Sequence, residues 1–246
     1  MARKLAAWKL NCSFKRSAGF CVPSHITIAA KRVPLSVPND NGTKVAFIDI
    51  LLDDCYRLGT FPRSTAVIVD IGAHVGLFSI AARRHFPSGV IHAYEPNPAI
   101  WTYLEANVQA MDVIIHREAV NHTAGSGVLA SHLDSVQTRV ELKEGGSIPY
   151  IDFESVVKRA GGRIDVLKLD CEGGEWQILS VSEPWQRVRH LTMEYHLWAG
   201  YSLADIMERL STLGFRVTSQ VASGLDFGLI TADRWVKNVQ AVSGEL

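Results

Sequence analysis

No stretch of this 246-residue chain holds the roughly 18 consecutive apolar residues of a membrane-spanning helix, so no span is expected. Cysteine is sparse. Cys12, Cys21, Cys55 and Cys171 are irregularly spaced and form no CxxC pair, which excludes a disulfide framework and a zinc knuckle and fits a reducing, cytoplasmic setting. Net charge is missing as well: 25 basic residues face 25 acidic ones, so no global field points to nucleic acid or an anionic membrane. Acids are lacking altogether before Asp40, whereas Arg3, Lys4, Lys9, Lys15, Arg16, Lys31 and Arg32 all lie there. A transit peptide has that composition, but the continuous apolar run of a secretory signal is not found. Residues 1–43 are therefore read as a basic N-terminal arm or cover, closed by the loop-like VPLSVPNDNGT of Val33 to Thr43. Internal repeats and low-complexity tracts are also lacking.

What is present suits a single folded unit over residues 44–246. With 47% hydrophobic residues, a chain of this length buries about three quarters of its unfolded surface. Short apolar strands alternate with longer helical patterns: VIVDI then LFSIAARRHF, GVIHAYE then a Pro-started helix from about Ala99 to Ala110, VIIHREAV at 113 to 120. A polar, antiparallel-looking stretch near 126 to 142 and a helix around Phe153 to Arg159 precede the strand RIDVLKLD, the short helix GEWQILS and the strand VRHLTMEYH. A helix from about Leu203 to Leu213 and the strands FRVTSQV and DFGLIT close the pattern. The expected fold is α/β: a seven-stranded, mostly parallel, doubly wound sheet with helices on both faces. Such sheets bind ligands at the carboxyl ends of their strands.

The first of those ends is VIVDIGAHVGLFSI, where a strand stops on Asp70, a turn carries Gly72 and Gly76, and a helix follows. A dinucleotide fingerprint would place glycines at 72, 74 and 77, but His74 and Leu77 stand there, so the register is wrong for NAD. Glu95 ends the next strand, where a carboxylate can accept both ribose hydroxyls of an adenosine. An amino-acid tail would set its carboxylate on turn N–H groups and its ammonium near Asp70. S-adenosylmethionine meets that description. Asp70 is alternatively a helix cap, and His74 receives no role.

The blocks VIVDIGAHVGLFSI, AYEPNP at 93 to 98, IDVLKLDCEGGEW at 164 to 176 and TMEYH at 192 to 196 together resemble the FkbM-type methyltransferase family, and ILLDDCY of Ile50 to Tyr56 resembles the segment before its glycine turn. The resemblance implies a class I methyltransferase (Rossmann-like) fold and transfer of a methyl group from S-adenosylmethionine, usually to oxygen. The expected cofactor site comprises Asp70, Gly72, Ala73, Gly76, Glu95, Pro96, Asn97, Glu118, Ala119 and Asp170, with the adenine wall drawn from Arg117, Glu118, Ala119 and Val120. His74, Cys171 and Gly174 stand where asparagine, valine and alanine are common in the family.

Catalysis is sought at two further strand ends. IDVLKLDCEGGEW delivers Asp170 and Glu172 to the crevice, where they would orient substrate, hold the sulfonium end of the cofactor, or bind a divalent metal. Lys168 shares the parity of Asp170 and either pairs with an acid or takes part in the chemistry; Glu175 would orient backbone, and Trp176 would be core. TMEYH puts Glu194 and His196 on one face, so His196 would take the proton of an acceptor hydroxyl, unless the pair is structural. Ser131, His132 and Asp134 would shape the substrate pocket. The leading expectation is O-methylation of a hydroxyl on a sugar or natural-product small molecule. N- or carboxyl-methylation on the same fold and a non-catalytic nucleotide-binding scaffold are the alternatives. The partner expected is a small-molecule acceptor, with no nucleic acid and with metal dependence and a homodimer left open.

Overall fold

The computed structural model describes residues 2–12, 20–130 and 139–235. Helix α1 (Ala2–Lys9) and a hairpin of β1 (His25–Ile28) and β2 (Lys31–Pro34) come first. Helix α2 (Asn41–Phe47) starts at Asp40, whose side chain accepts from the Thr43 N–H, and runs on as one π-helical turn over Ile48–Leu52. The β-branched run at 67–71 then extends as β3 (Val67–Ile71), and Gly76 opens α3 (Leu77–His85). Next come β4 (Val90–Tyr94), α4 (Pro98–Val108), whose proline sits at the first helical position, and β5 (Val113–His116).

The strand expected over 113–120 is in fact two. Arg117 pairs with Glu105 and Glu118 with Arg159, the chain steps out of the main sheet, and β6 (Ala119–Asn121) pairs in parallel with β9 (Ile148–Asp152). With β7 (Gly125–Ala130) and β8 (Arg139–Leu142) these strands make a small sheet of order β6-β9-β7-β8. The chain returns through α5 (Phe153–Arg159), capped by Asp152, to β10 (Ile164–Leu169), α6 (Glu175–Leu179), β11 (Val188–His196), α7 (Leu203–Thr212), β12 (Phe215–Ala222) and β13 (Phe227–Arg234). The main sheet has the order β12-β13-β11-β10-β3-β4-β5. Neighbours from β11 to β5 are parallel, and β13 runs antiparallel to both β11 and β12. The sheet is thus the mostly parallel α/β sheet expected from the alternating pattern, and its order reverses between β3 and β10, beside which a ligand crevice forms.

Both faces of the sheet are covered. Leu167 and Leu169 join the core that holds Phe153 and Trp185, while Val166 joins the one that holds Phe47, Phe78 and Phe86. The second core also takes in Leu10, Ile26, Val33 and Leu35, so these N-terminal side chains pack into the same interior as Ile80 while Leu5 and Trp8 remain exposed. Asn107 reinforces this by pairing with the Ser36 backbone at both its N–H and C=O. No helix among the described residues is long and apolar enough to cross a membrane.

Candidate active site

The glycine turn after β3 is dictated by its neighbours. Gly72 has φ +78°, and a Cβ there would lie 1.7 Å from the Asp170 carbonyl oxygen, so only glycine lets β3 and β10 end side by side. Gly72 N–H and Ala73 N–H both donate to the Tyr94 carbonyl at 3.0 Å, His74 N–H donates to Glu95 Oε2 at 2.7 Å, and Gly76 N–H donates to the Ala73 carbonyl. These amides are already spent, which corrects the expectation that a ligand carboxylate rests on them. Gly76, at φ +84°, would carry a Cβ 2.9 Å from Leu104 and Val108; it serves the packing of α3 on α4 and does not line the cavity. Asp70 is a second correction. It is fully buried, accepts from Ser79 Oγ at 2.7 Å and lies 3.4 Å from Lys168 Nζ, because the strand turns its side chain inward.

The carboxyl ends of β3, β4, β10 and β11 border a cavity of about 1230 Å³. At one end Gly72, Ala73, Glu95, Pro96, Asn97, Glu118 and Ala119 line it, all expected in the cofactor site. Glu95 is 6% exposed, and its oxygens accept from His74 N–H and from Asn97 N–H at 2.8 Å, which leaves each a further lone pair. Burial pushes its carboxyl up to about 7 in spite of those bonds. Asn97 also caps α4 by accepting from the Ala99 N–H, and Trp101 Nε1–H donates to the Glu95 carbonyl, so the acid is fixed on every side but the cavity. Arg117 does not line the cavity; its guanidinium lies over the Trp101 ring.

At the other end the structure brings together Asp170, Glu172, Glu194 and His196, the four residues expected to be catalytic. Asp170 accepts from Tyr56 Oη at 2.9 Å and lies 3.5 Å from Lys168 Nζ. Lys168 therefore bridges Asp70 and Asp170 and also donates to the Gly72 carbonyl. Burial pulls its ammonium down, but the two carboxylates outweigh burial, so the group stays charged. Glu175 is fully buried and accepts from Cys171 N–H at 2.7 Å and Gly173 N–H at 2.9 Å, the backbone role expected of it. It also holds His196, whose Nδ1 lies 3.3 Å away, while His196 Nε2 lies 3.6 Å from Glu172 Oε2.

These contacts change the expected proton chemistry. Burial lowers the His196 ring, but Glu175, Asp170 and Glu172 outweigh it and raise the ring to about 9, so in this setting it holds its proton through neutral pH. Burial first, then the Asp170 charge, lifts Glu172 and Glu194 to about 8 each, so the carboxyls are the groups that change charge near neutrality.

Sequence reasoning gave no role to Tyr56, Trp198, Tyr201 and Phe227, all of which line the cavity. Trp176, read as core, lines it too: Nε1–H donates to the His196 carbonyl at 2.7 Å and the indole stacks on Tyr201 at 3.8 Å. Only the aromatic ending of ILLDDCY hinted at Tyr56, and nothing local ties it to Asp170, far along the chain. Ser131, His132 and Asp134 lie outside the described residues.

Comparisons with known proteins fall on this part of the chain. The family model described as "Methyltransferase FkbM domain" matches residues 70–217. The methyltransferase sdnD of Sordaria araneosa is 27% identical over 76% of this chain and 88% of its own length. The 31-O-demethyl-FK506 methyltransferase FkbM of Streptomyces tacrolimicus is 26% identical over 75% of this chain and 87% of its own. Among solved structures, magnesium protoporphyrin IX methyltransferase from Synechocystis PCC 6803 superposes with a TM-score of 0.47 at 14% identity, over 79% of each chain.

Proposed function

Since the chain belongs to the FkbM methyltransferase family and draws its methyl group from S-adenosylmethionine, we propose that it methylates a hydroxyl oxygen of a small natural product. The observation that carries this reading is the pairing, in one cavity, of a spare-lone-pair carboxylate at Glu95 with the carboxyls of Glu172 and Glu194 set beside His196. Glu95 accepts the ribose hydroxyls, and the apolar wall of Ala119 and Val120 takes the adenine. Bound there, S-adenosylmethionine supplies an electrophilic methyl group on a sulfonium. Asp170, fixed by Tyr56 and Lys168, orients the groups between the two ends. Glu194 takes the acceptor proton, and protonated His196 holds Glu172 in place beside it. Support for an oxygen acceptor also comes from the S. tacrolimicus relative, whose name describes methylation at an oxygen.

Incubation of the purified protein with S-adenosylmethionine and panels of hydroxylated metabolites should release S-adenosylhomocysteine, with the new methyl on oxygen by mass spectrometry. Glu194→Gln should lower turnover by about 10²- to 10⁴-fold while S-adenosylhomocysteine affinity stays unchanged. A product methylated at nitrogen or at a carboxylate would replace the acceptor class, and calorimetry showing no cofactor binding would leave a scaffold.

A further inference from the structure

We infer that Asp170, Glu172 and His196 form a binding site for one first-row divalent cation. One ligand atom from each of the three, two carboxylate oxygens and an imidazole nitrogen, lies within 4.8 Å of the others, the spacing at which a single ion touches all three. The histidine separates this group from an ordinary patch of acids. His196 is 4% exposed, and its Nδ1 is taken by the fully buried Glu175 carboxylate, itself locked by the Cys171 and Gly173 amides. Nε2 is thereby aimed at Glu172 and Asp170, and its 3.6 Å separation from Glu172 Oε2 is an ion-pair distance, too long for a hydrogen bond. A carboxylate that grips the far nitrogen of an imidazole is the arrangement that orients histidine ligands in metal sites. The fixing of Asp170 by Tyr56 and Lys168 uses Oδ2, so the carboxylate is held while an oxygen stays available.

A mixed set of two hard oxygens and one imidazole suits ions from Mn²⁺ to Zn²⁺ better than the all-oxygen ions Mg²⁺ and Ca²⁺. A bound dication would displace the Nε2 proton of His196 to solvent and replace the His196–Glu172 ion pair of the metal-free protein, and, on the reading above, would meet the acceptor oxygen beside Glu194, which remains outside the ligand set.

The test is binding without turnover. After chelator treatment and dialysis, the full chain is titrated with Mn²⁺ and followed by the loss of the free-ion electron paramagnetic resonance signal, with folding checked by circular dichroism. One ion per chain is expected, displaced by Zn²⁺. Glu172→Gln and His196→Gln should each weaken it at least about tenfold. Glu175→Gln, which removes no ligand, should weaken it about 10- to 100-fold. Glu208→Gln, on the exposed face of α7, should not change it. In the unaltered protein, Mn²⁺ should broaden the proton resonance signals of the His196 ring before those of His92 and His116. A folded chain that binds no Mn²⁺, binding unaltered by Glu172→Gln and His196→Gln, or broadening that spares His196 would overturn the site. Because these readouts need neither cofactor nor acceptor, they stand or fall separately from methyl transfer.

Discussion

At the scale of single residues, Glu95 and Lys168 show how burial decides what a charge does. On the function proposed above, Glu95 accepts the ribose hydroxyls in its ionised form, and in the free protein burial raises its carboxyl to about 7. Affinity for S-adenosylhomocysteine should therefore be flat above about pH 8 and fall as the pH drops through 7, approaching tenfold per unit. Glu95→Gln should lose about 1.5 to 3 kcal/mol of binding at pH 8 and abolish the pH dependence, both readable by calorimetry. Lys168 is the counter-ion of a fully buried acid, Asp70. Lys168→Met should cost about 3 to 5 kcal/mol in urea unfolding, because Asp70 is then left buried and unpaired. Adding Asp70→Asn should restore much of that loss. The sequence made the pairing of Lys168 with an acid legible through strand parity. It did not show that Asp70 turns inward, since parity alone does not say which face of a strand buried on both sides carries the ligand.

At the scale of elements, the strands and helices were legible wherever local pattern and tertiary pairing agree. The runs that became β3, β4, β10 and β11 are apolar, short and ended by turn residues, and α4 and α5 announce themselves by Pro98, Asn97 and Asp152 at their starts. The split of VIIHREAV was not legible: its second half leaves because it pairs with Tyr150 to Asp152, a partner supplied by chain that comes much later. The turn amides were misread for a similar reason, since the acceptor that occupies Gly72 and Ala73 is the carbonyl at the end of β4. Gly72 itself is an element-scale residue, because it sets how closely β3 approaches β10. Gly72→Ala should destabilise by more than about 4 kcal/mol or prevent folding, through backbone overlap with Asp170 and a positive φ, whereas Gly125→Ala, which meets open space, should be mild. Thermal melts of the two variants side by side give the comparison.

At the scale of the molecule, Leu10, Ile26, Val33 and Leu35 of the N-terminal segment belong to the interior, while its basic residues Arg3, Lys4, Lys9, Lys31 and Arg32 stay exposed. Leu10→Ala and Ile26→Ala should each cost about 2 to 5 kcal/mol, as deletions in a packed core do, and a chain started at Lys44 should expose Phe47 and Ile80 and aggregate; light scattering after expression decides this. Composition disclosed the basic character of this segment but not its burial, because its apolar residues follow no single helix or strand period and gain meaning only beside α3. The cavity, too, is a property of the whole, built from strand ends on one side and from the turn between β12 and β13 on the other. Leu225, 98% exposed, and Phe227 sit at that turn, and Trp198 and Tyr201 follow the end of β11. The two sides are constrained unequally. Any substitution at Gly72 or Lys168 disturbs the sheet itself, whereas the tip at Leu225 can be exchanged or lengthened without moving a strand. On the function proposed above, with the acceptor beside the tip, the enzyme can over evolutionary time try new acceptors there and keep its methyl donor, acquiring novelty on one wall of a room whose opposite wall cannot be rebuilt.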